Sequence, residues 1–332
     1  MRQVVRPAIR LPTLAAIETS HGEGWKQTGL GGPKDDLWNN PDVRGALYAM
    51  HGRACVYCQQ YLPENDRGDV EHFRPKSIYH WLAYAFDNYL LSCGICNRVL
   101  KRDHFPLRPG AVAISYPERH RLEQEARLLL DPATDPTETW IEYDIFNSLC
   151  AAVPASNVPP PALPQVETTI SFFRLNTRSR LIQSRLEMID KTEELLEGLD
   201  AGRQRNANSL KRLASRYAPH GLIVRKILSK DRPALLPTAK EELEFLVEAL
   251  CNDLELTDRI RPPGRDRGLT QTWERIRREL IYSLAVIWLA PLGATPLEVE
   301  QWLEAHNVRR DVTAVLHEIT PPPNPHSQGN GF

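Results

Sequence analysis

The chain has 332 residues, of which 42% are apolar and 25% charged, with a formal net charge of −1. That composition suits a globular chain with room for roughly two domains, and it excludes both a disordered polyelectrolyte and a protein coated with positive charge for indiscriminate nucleic-acid binding. No apolar run reaches the ~18 to 20 residues that cross a bilayer, and the opening Met1-Arg2-Gln3-Val4 lacks the long apolar stretch of a secretory signal, so a cytoplasmic protein with no membrane association is expected.

In chain order, residues 1–50 read as an N-terminal lead-in, with a flexible loop at Gly29-Leu30-Gly31-Gly32-Pro33 and a short helix from Asp42 to Met50. Residues 51–150 hold a compact Cys/His region. There Gly68 to Phe73 and Tyr89 to Ser92 have strand character, Asn97 to Lys101 can begin a helix, and a helix-like extension from Glu118 to Leu130 ends in the turn Asp131-Pro132-Ala133-Thr134-Asp135-Pro136. The Pro/Ala segment 151–165 reads as a linker, because each proline removes a donor and restricts its predecessor. Residues 166–319 carry a helical pattern: Thr177 to Leu199, Asn206 to Tyr217, Ala239 to Leu254, Thr270 to Leu289 and Thr295 to His306. A disordered tail is expected at 320–332. Charge is segregated in this half: residues 201–232 hold nine Lys/Arg against the single acid Asp231, a pattern of either a solvated helix face or a nucleic-acid contact.

The chemistry concentrates between two Cys-x-x-Cys pairs, Cys55/Cys58 and Cys93/Cys96. Together they can close one tetrahedral structural Zn²⁺ site, which would fold a segment too small for its own core. Two separate redox dithiols would not explain why both pairs flank the same polar cluster. The other cysteines, Cys150 and Cys251, read as small buried apolar residues, and the whole set fits a reducing compartment. The polar residues between and after the pairs are Asp69-Val70-Glu71-His72-Phe73-Arg74-Pro75-Lys76, Asp87-Asn88 and Asn97-Arg98. His51 and His80 border this cluster and read as surface or half-buried histidines, with substrate contact as the alternative. The aromatic run Tyr79 to Phe86 reads as core of the small domain, with base stacking as the alternative.

At these residues the chain resembles the HNH (ββα-metal) endonucleases, in which a strand ending in Asp/Glu-His, a second strand opened by Asn and a helix carrying His or Asn build one site. The resemblance implies an α+β fold: a small zinc-braced ββα-metal nuclease core joined to a mainly α-helical C-terminal domain. It implies that His72 is the general base that activates water, that Asn88 fixes the loop bearing His72, and that Glu71 and Asn97 hold a catalytic Mg²⁺ or Mn²⁺. Arg74, Lys76, Arg98, Lys101 and Arg102 would then grip the phosphate backbone. Two features depart from the pattern. Adjacent residues of a regular strand face opposite ways, so Glu71 and His72 share a site only where the strand twists or ends. The helix position often filled by His is Asn97, which leaves Asp103 or His104 to complete the metal shell and Asp69 as a substitute for Glu71.

Over a longer stretch the chain is similar to an HNH subfamily of retron and Septu-type anti-phage systems. The similarity lies in the opening Met1-Arg2-Gln3-Val4-Val5-Arg6, Val70 to Lys76, His104-Phe105-Pro106-Leu107 and Leu128-Leu129-Leu130-Asp131-Pro132. That similarity implies a nuclease effector acting with an SMC/ABC-like ATPase, on DNA in preference to RNA or tRNA. The alternative from another class is a non-catalytic zinc-dependent nucleic-acid-binding module.

Overall fold

The computed structural model describes residues 1–4, 11–21, 24–29, 37–63, 68–145 and 149–238, with short pieces at 240–242 and 244–245 and the single positions 297 and 301. It is α+β, with two small antiparallel sheets among helices. The expected helices Ala239 to Leu254, Thr270 to Leu289 and Thr295 to His306, the tail 320–332 and Cys251 lie largely or wholly outside the described residues. Among the described residues no helix is long and apolar enough to cross a membrane.

After the short helices α1 (Pro12–His21) and α2 (Gly24–Thr28), helix α3 (Pro41–His51) begins with proline in its first turn behind Asn40, as a preset φ favours. It stops at Gly52, whose φ of 58° closes the last turn with N–H donated to Tyr48 O at 2.7 Å. A Cβ at Gly52 would stand 2.7 Å from Tyr217 O, so both the backbone angle and the close approach require glycine. α3 packs on the central hairpin, formed by β1 (Asp69–His72) and β2 (Tyr89–Ser92). Their register pairs Asp69 with Ser92 and His72 with Tyr89. β2 is buried along its whole length, which its Tyr-Leu-Leu-Ser composition allows. Directly after it runs a π-helix, Ile95–Lys101, closed by Arg102 N–H donating to Asn97 O five residues back at 2.7 Å.

The Glu118 to Leu130 stretch departs from expectation. Only Tyr116–Gln124 is helical, as 3₁₀ turns, and the residues after it pair as extended chain with 106–108: Leu128 N–H donates to Pro106 O and Arg108 N–H to Ala126 O, both at 2.8 Å. Backbone pairing there replaces the helical ladder. The turn at 131–136 leads through the short helix α4 (Thr137–Trp140) to a second sheet, β3 (Ile141–Asp144) with β4 (Ala151–Pro154). The 151–165 segment therefore holds a strand ending at proline, and the first turn of α5 (Leu163–Phe172) contains Pro164. Both are positions proline tolerates, so this stretch is structured rather than a bare linker.

The helices α6 (Ser179–Asp200), α7 (Arg205–Leu213) and α8 (Gly221–Asp231) pack on one another around Leu210, Ala214, Val224 and Leu228. α8 has no counterpart in the sequence reading. One larger apolar core contains Met1, Val4, Leu47, Leu90, Leu91, Val166, Phe173, Leu181 and Ile223, so the lead-in, the Cys/His region and the helices after it share a single interior. The aromatic run packs as expected, with Tyr79 and Trp81 buried against Tyr116.

Candidate functional site

The Cys pairs converge. Cys55 and Cys58 lie just after α3, Cys93 and Cys96 at the end of β2 and in the π-helix, and all four thiols are buried with their Sγ atoms within 4.8 Å of one another. A tetrahedron of ~2.3 Å Zn–S bonds has sulfur–sulfur edges of about 3.8 Å, and Cys58 Sγ lies 3.9 Å from Cys93 Sγ. Cys96 N–H points at Cys93 Sγ at 3.5 Å, a donor suited to a thiolate rather than a thiol. Four mutually adjacent, buried thiols cannot all ionise without a cation, and an all-sulfur donor set fits Zn²⁺. Zinc held here would tie the residues after α3 to β2 and the π-helix, and so fix the hairpin between the pairs.

Arg178, at the N-terminal boundary of α6, reaches the same site. Its Nη1 is 3.3 Å from Cys96 Sγ and its Nη2 4.0 Å from Cys58 Sγ and 3.1 Å from Gln60 Oε1. Nothing in the sequence marked this residue, which is 82 positions from Cys96.

The motif residues fall on two faces of β1. Asp69 and Glu71 face the π-helix, where Asp69 Oδ2 accepts from Asn97 Nδ2 at 3.2 Å and from Arg98 Nε at 3.0 Å. One turn on, Lys101 Nζ pairs with Glu71 Oε1 at 2.7 Å and donates to His72 O at 2.8 Å, while Tyr57 OH donates to Glu71 at 3.3 Å. Burial raises the Glu71 pKa, against the pull of the Lys101 charge. The structure thus brings Asn97 to Asp69, the substitute acid, and gives Glu71 an internal ammonium. Asp103 and His104 are exposed beyond the end of the helix.

His72 points the other way, with its ring edge-on to Trp38 and Tyr89 at centroid distances of 5.2 and 5.0 Å. Its Nε2 lies 2.9 Å from Ala83 O. A carbonyl oxygen only accepts, so Nε2 carries the hydrogen and Nδ1 the lone pair. Burial lowers its pKa to about 4, which leaves the ring neutral at pH 7. Glu71 and His72 therefore have separate sets of partners at the end of β1.

Asn88 is buried and brackets the backbone of Arg74: Oδ1 accepts its N–H at 2.8 Å, and Nδ2 donates to its carbonyl at 2.9 Å and to Leu82 O at 3.3 Å. Asn88 thus braces the turn leaving His72, together with Lys101 Nζ on His72 O and the Phe73 N–H on Asn88 O.

Two of the five expected phosphate-gripping cations are turned inward, a correction to the sequence reading. Lys101 is fully buried on Glu71, and Arg74 is held by Glu125 at 2.9 Å and Leu122 O at 3.2 Å. Arg98 and Arg102 are exposed, and Lys76 Nζ lies 3.8 Å over the Trp38 ring. Among the described residues at least five of the nine cations of the 201–232 run are ion-paired: Lys211 with Glu241, Arg216 with Glu138, Arg225 with Glu242, Lys226 with Glu142 and Arg232 with Asp200. This pairing favours the solvated-face reading over a nucleic-acid surface. His51 accepts from Leu91 N–H inside the core, and His80 meets Lys26 O at 2.9 Å.

No family model matches the chain, and no solved structure matches it. It is similar to Septu protein PtuB of Bacillus mycoides (strain KBAB4), 28% identical over 121 residues that cover 32% of this chain and 40% of the relative. Septu protein PtuB of Bacillus thuringiensis is 27% identical over 166 residues, covering 50% and 53%. Septu protein PtuA of Bacillus mycoides (strain KBAB4) is 31% identical over 103 residues, covering 27% of this chain and 14% of the relative. The chain thus spans about half, or less, of the length of the curated relatives it matches.

Proposed function

We propose that the chain is a zinc-braced, metal-dependent HNH-type endonuclease that hydrolyses phosphodiester bonds, DNA in preference to RNA, as the effector of a Septu-like anti-phage system. The observation that carries this reading is the assembly of antiparallel β1 and β2 with the helix that follows at once, in which Asn88 clamps the turn after a neutral His72. The similarity to Septu proteins supports the defence role, and a partner of SMC/ABC-like ATPase type is part of the proposal.

His72 is the base. With Nε2–H anchored on the Ala83 carbonyl, Nδ1 takes a proton from water as the water oxygen bonds to phosphorus and the phosphorus–O3′ bond breaks, the 3′ oxygen leaving with a proton from solvent. An incoming phosphate raises the imidazole pKa from its low resting value toward the range useful for a base. A divalent Mg²⁺ or Mn²⁺, when bound, supplies positive charge at the phosphate and the leaving oxygen. Asn97 with Asp69 or Glu71 offers the hard oxygen donors such an ion takes, but on the face of β1 opposite His72, so base and ion meet at one phosphate only if the end of β1 turns on substrate binding, and Glu71 joins the set only by giving up Lys101. Arg98 and Arg102 hold the flanking backbone.

The test is cleavage of supercoiled plasmid, linear DNA and total RNA by zinc-loaded protein, with Mg²⁺ or Mn²⁺ and without added divalent ions. Products that need the added ion are expected. The second reading, a zinc-braced nucleic-acid-binding module without catalysis, is favoured by the burial of His72 and by the Glu71–Lys101 pair. It predicts salt-sensitive binding with no product under any ion.

A further inference from the structure

We infer that Arg178 is a positioning residue of the thiolate centre, which makes zinc retention and the docking of α6 one coupled event. The inference rests on the reading of the four cysteines as a zinc site.

A zinc ion held by four thiolates has a net charge of −2, and this one would be buried. N–H donors and a nearby cation offset that charge, and such outer partners commonly change metal affinity by about 10- to 100-fold. Arg178 is placed for this. Its guanidinium spans the two pairs, with Nη1 on Cys96 Sγ at 3.3 Å and Nη2 toward Cys58 Sγ at 4.0 Å. Gln60 Oε1 takes a further Nη2 hydrogen at 3.1 Å and fixes the plane of the fork. The planar fork can serve one sulfur from each pair at once, which a lysine ammonium cannot do with the same geometry.

The position of Arg178 argues against a role in stabilising the helix itself. It occupies the N-terminal boundary of α6, where the helix dipole favours acids, and α6 has no acid in its first turn. The backbone around it is held independently: two residues earlier Asn176 exchanges both amide hydrogen bonds with Ala152, at 2.7 and 2.8 Å, and Leu181 just inside the helix is fully buried. The side chain is therefore delivered to the sulfurs by a fixed loop.

The experiment uses the full chain reconstituted with Zn²⁺, with zinc content measured first. A wild type that retains no zinc overturns the zinc reading, and this proposal with it. With zinc bound, its release into excess chromogenic chelator is timed for wild type, Arg178→Lys and Arg178→Ala. Release about 10-fold or more faster from Arg178→Ala, with Arg178→Lys between, is expected. Removing the cation also favours the α6 dipole, so faster release cannot come from a weakened helix. Equal rates in the zinc-loaded proteins overturn the proposal.

Should Arg178→Ala not fold, hydrogen exchange in wild type decides. The first laddered amides of α6, from Ile182 N–H bonded to Arg178 O at 3.0 Å, should lose more protection than those of Arg205–Leu213 when zinc is stripped. Protection unchanged at 182–186, or lost no more than at 205–213, contradicts the coupling.

Discussion

At the scale of single residues, buried polar groups dominate the site. Lys101 and Glu71 form a buried pair, so Lys101→Met leaves a buried carboxylate without its cation and should destabilise the fold by about 3–5 kcal/mol. Adding Glu71→Gln should recover a large part of that loss. Denaturant unfolding of the four members of the cycle checks this, and additive losses would count against a direct pair. Two buried histidines contribute to the response to acid. His220 titrates at about 3 and His72 at about 4, both lowered by burial from 6.5. Above pH 6.5 both are neutral folded or unfolded, and their stability contribution is complete. As pH falls below that value the unfolded chain takes up protons the native state refuses, so stability drops by about 1.4 kcal/mol per pH unit per histidine until the folded pKa is reached. His220→Asn keeps a side chain tolerant of the left-handed φ of 53° and should flatten part of this acid limb; an unchanged limb would exclude His220 as a source. The cysteine spacing and the polar motif were legible at this scale, since metal ligation imposes fixed intervals. The inward turn of Lys101 and Arg74 was not, because residue type alone does not tell which face of an element a charge occupies.

At the scale of elements, α3, β1, β2 and the helix after β2 were legible from apolar spacing and turn residues, to within a few positions at their ends. Other elements were hidden for identifiable reasons. In α8 the residues Ile223, Val224, Ile227 and Leu228 carry a helical apolar stripe, masked by the lysines and arginines counted there as a charge run. Segment 125–130 became extended because 106–108 offered a pairing edge distant in sequence. In the 151–165 stretch Pro154 falls at a strand end and Pro164 in a first helical turn, while Pro159, Pro160 and Pro161 lie in the turn between them. The junction of α3 with the rest depends on one glycine. Gly52→Ala should cost about 1–2 kcal/mol from the positive φ, with a further loss from the approach to Tyr217 O. A thermal scan showing no loss would mean the junction relaxes freely.

At the scale of the whole molecule, the thiolate site is the node where segments far apart in sequence meet: the residues after α3, the end of β2, and α6 through Arg178. None of that convergence could be read from the chain beyond the pairing of the two Cys motifs, because it depends on contacts between distant segments. Zinc removal should therefore act globally. Chelation under reducing conditions should lower the melting temperature by more than about 10 °C, whereas a site merely decorating a stable core would leave it unchanged. The shared core also implies that a fragment ending near residue 150 exposes apolar surface normally covered by Val166, Phe173, Leu181 and Ile223. The whole 332-residue chain is thus the proper material for functional work.

Hydrolysis by His72, as proposed, is tested by comparing initial rates of plasmid cleavage by wild type and His72→Ala. Both proteins should be zinc-loaded to equal content, with Mn²⁺ or Mg²⁺ supplied. The account predicts cleavage by wild type and a rate at least about 100-fold lower in the variant, the usual scale of a lost general base. Equal cleavage by the two proteins, or none by wild type under these conditions, would contradict it.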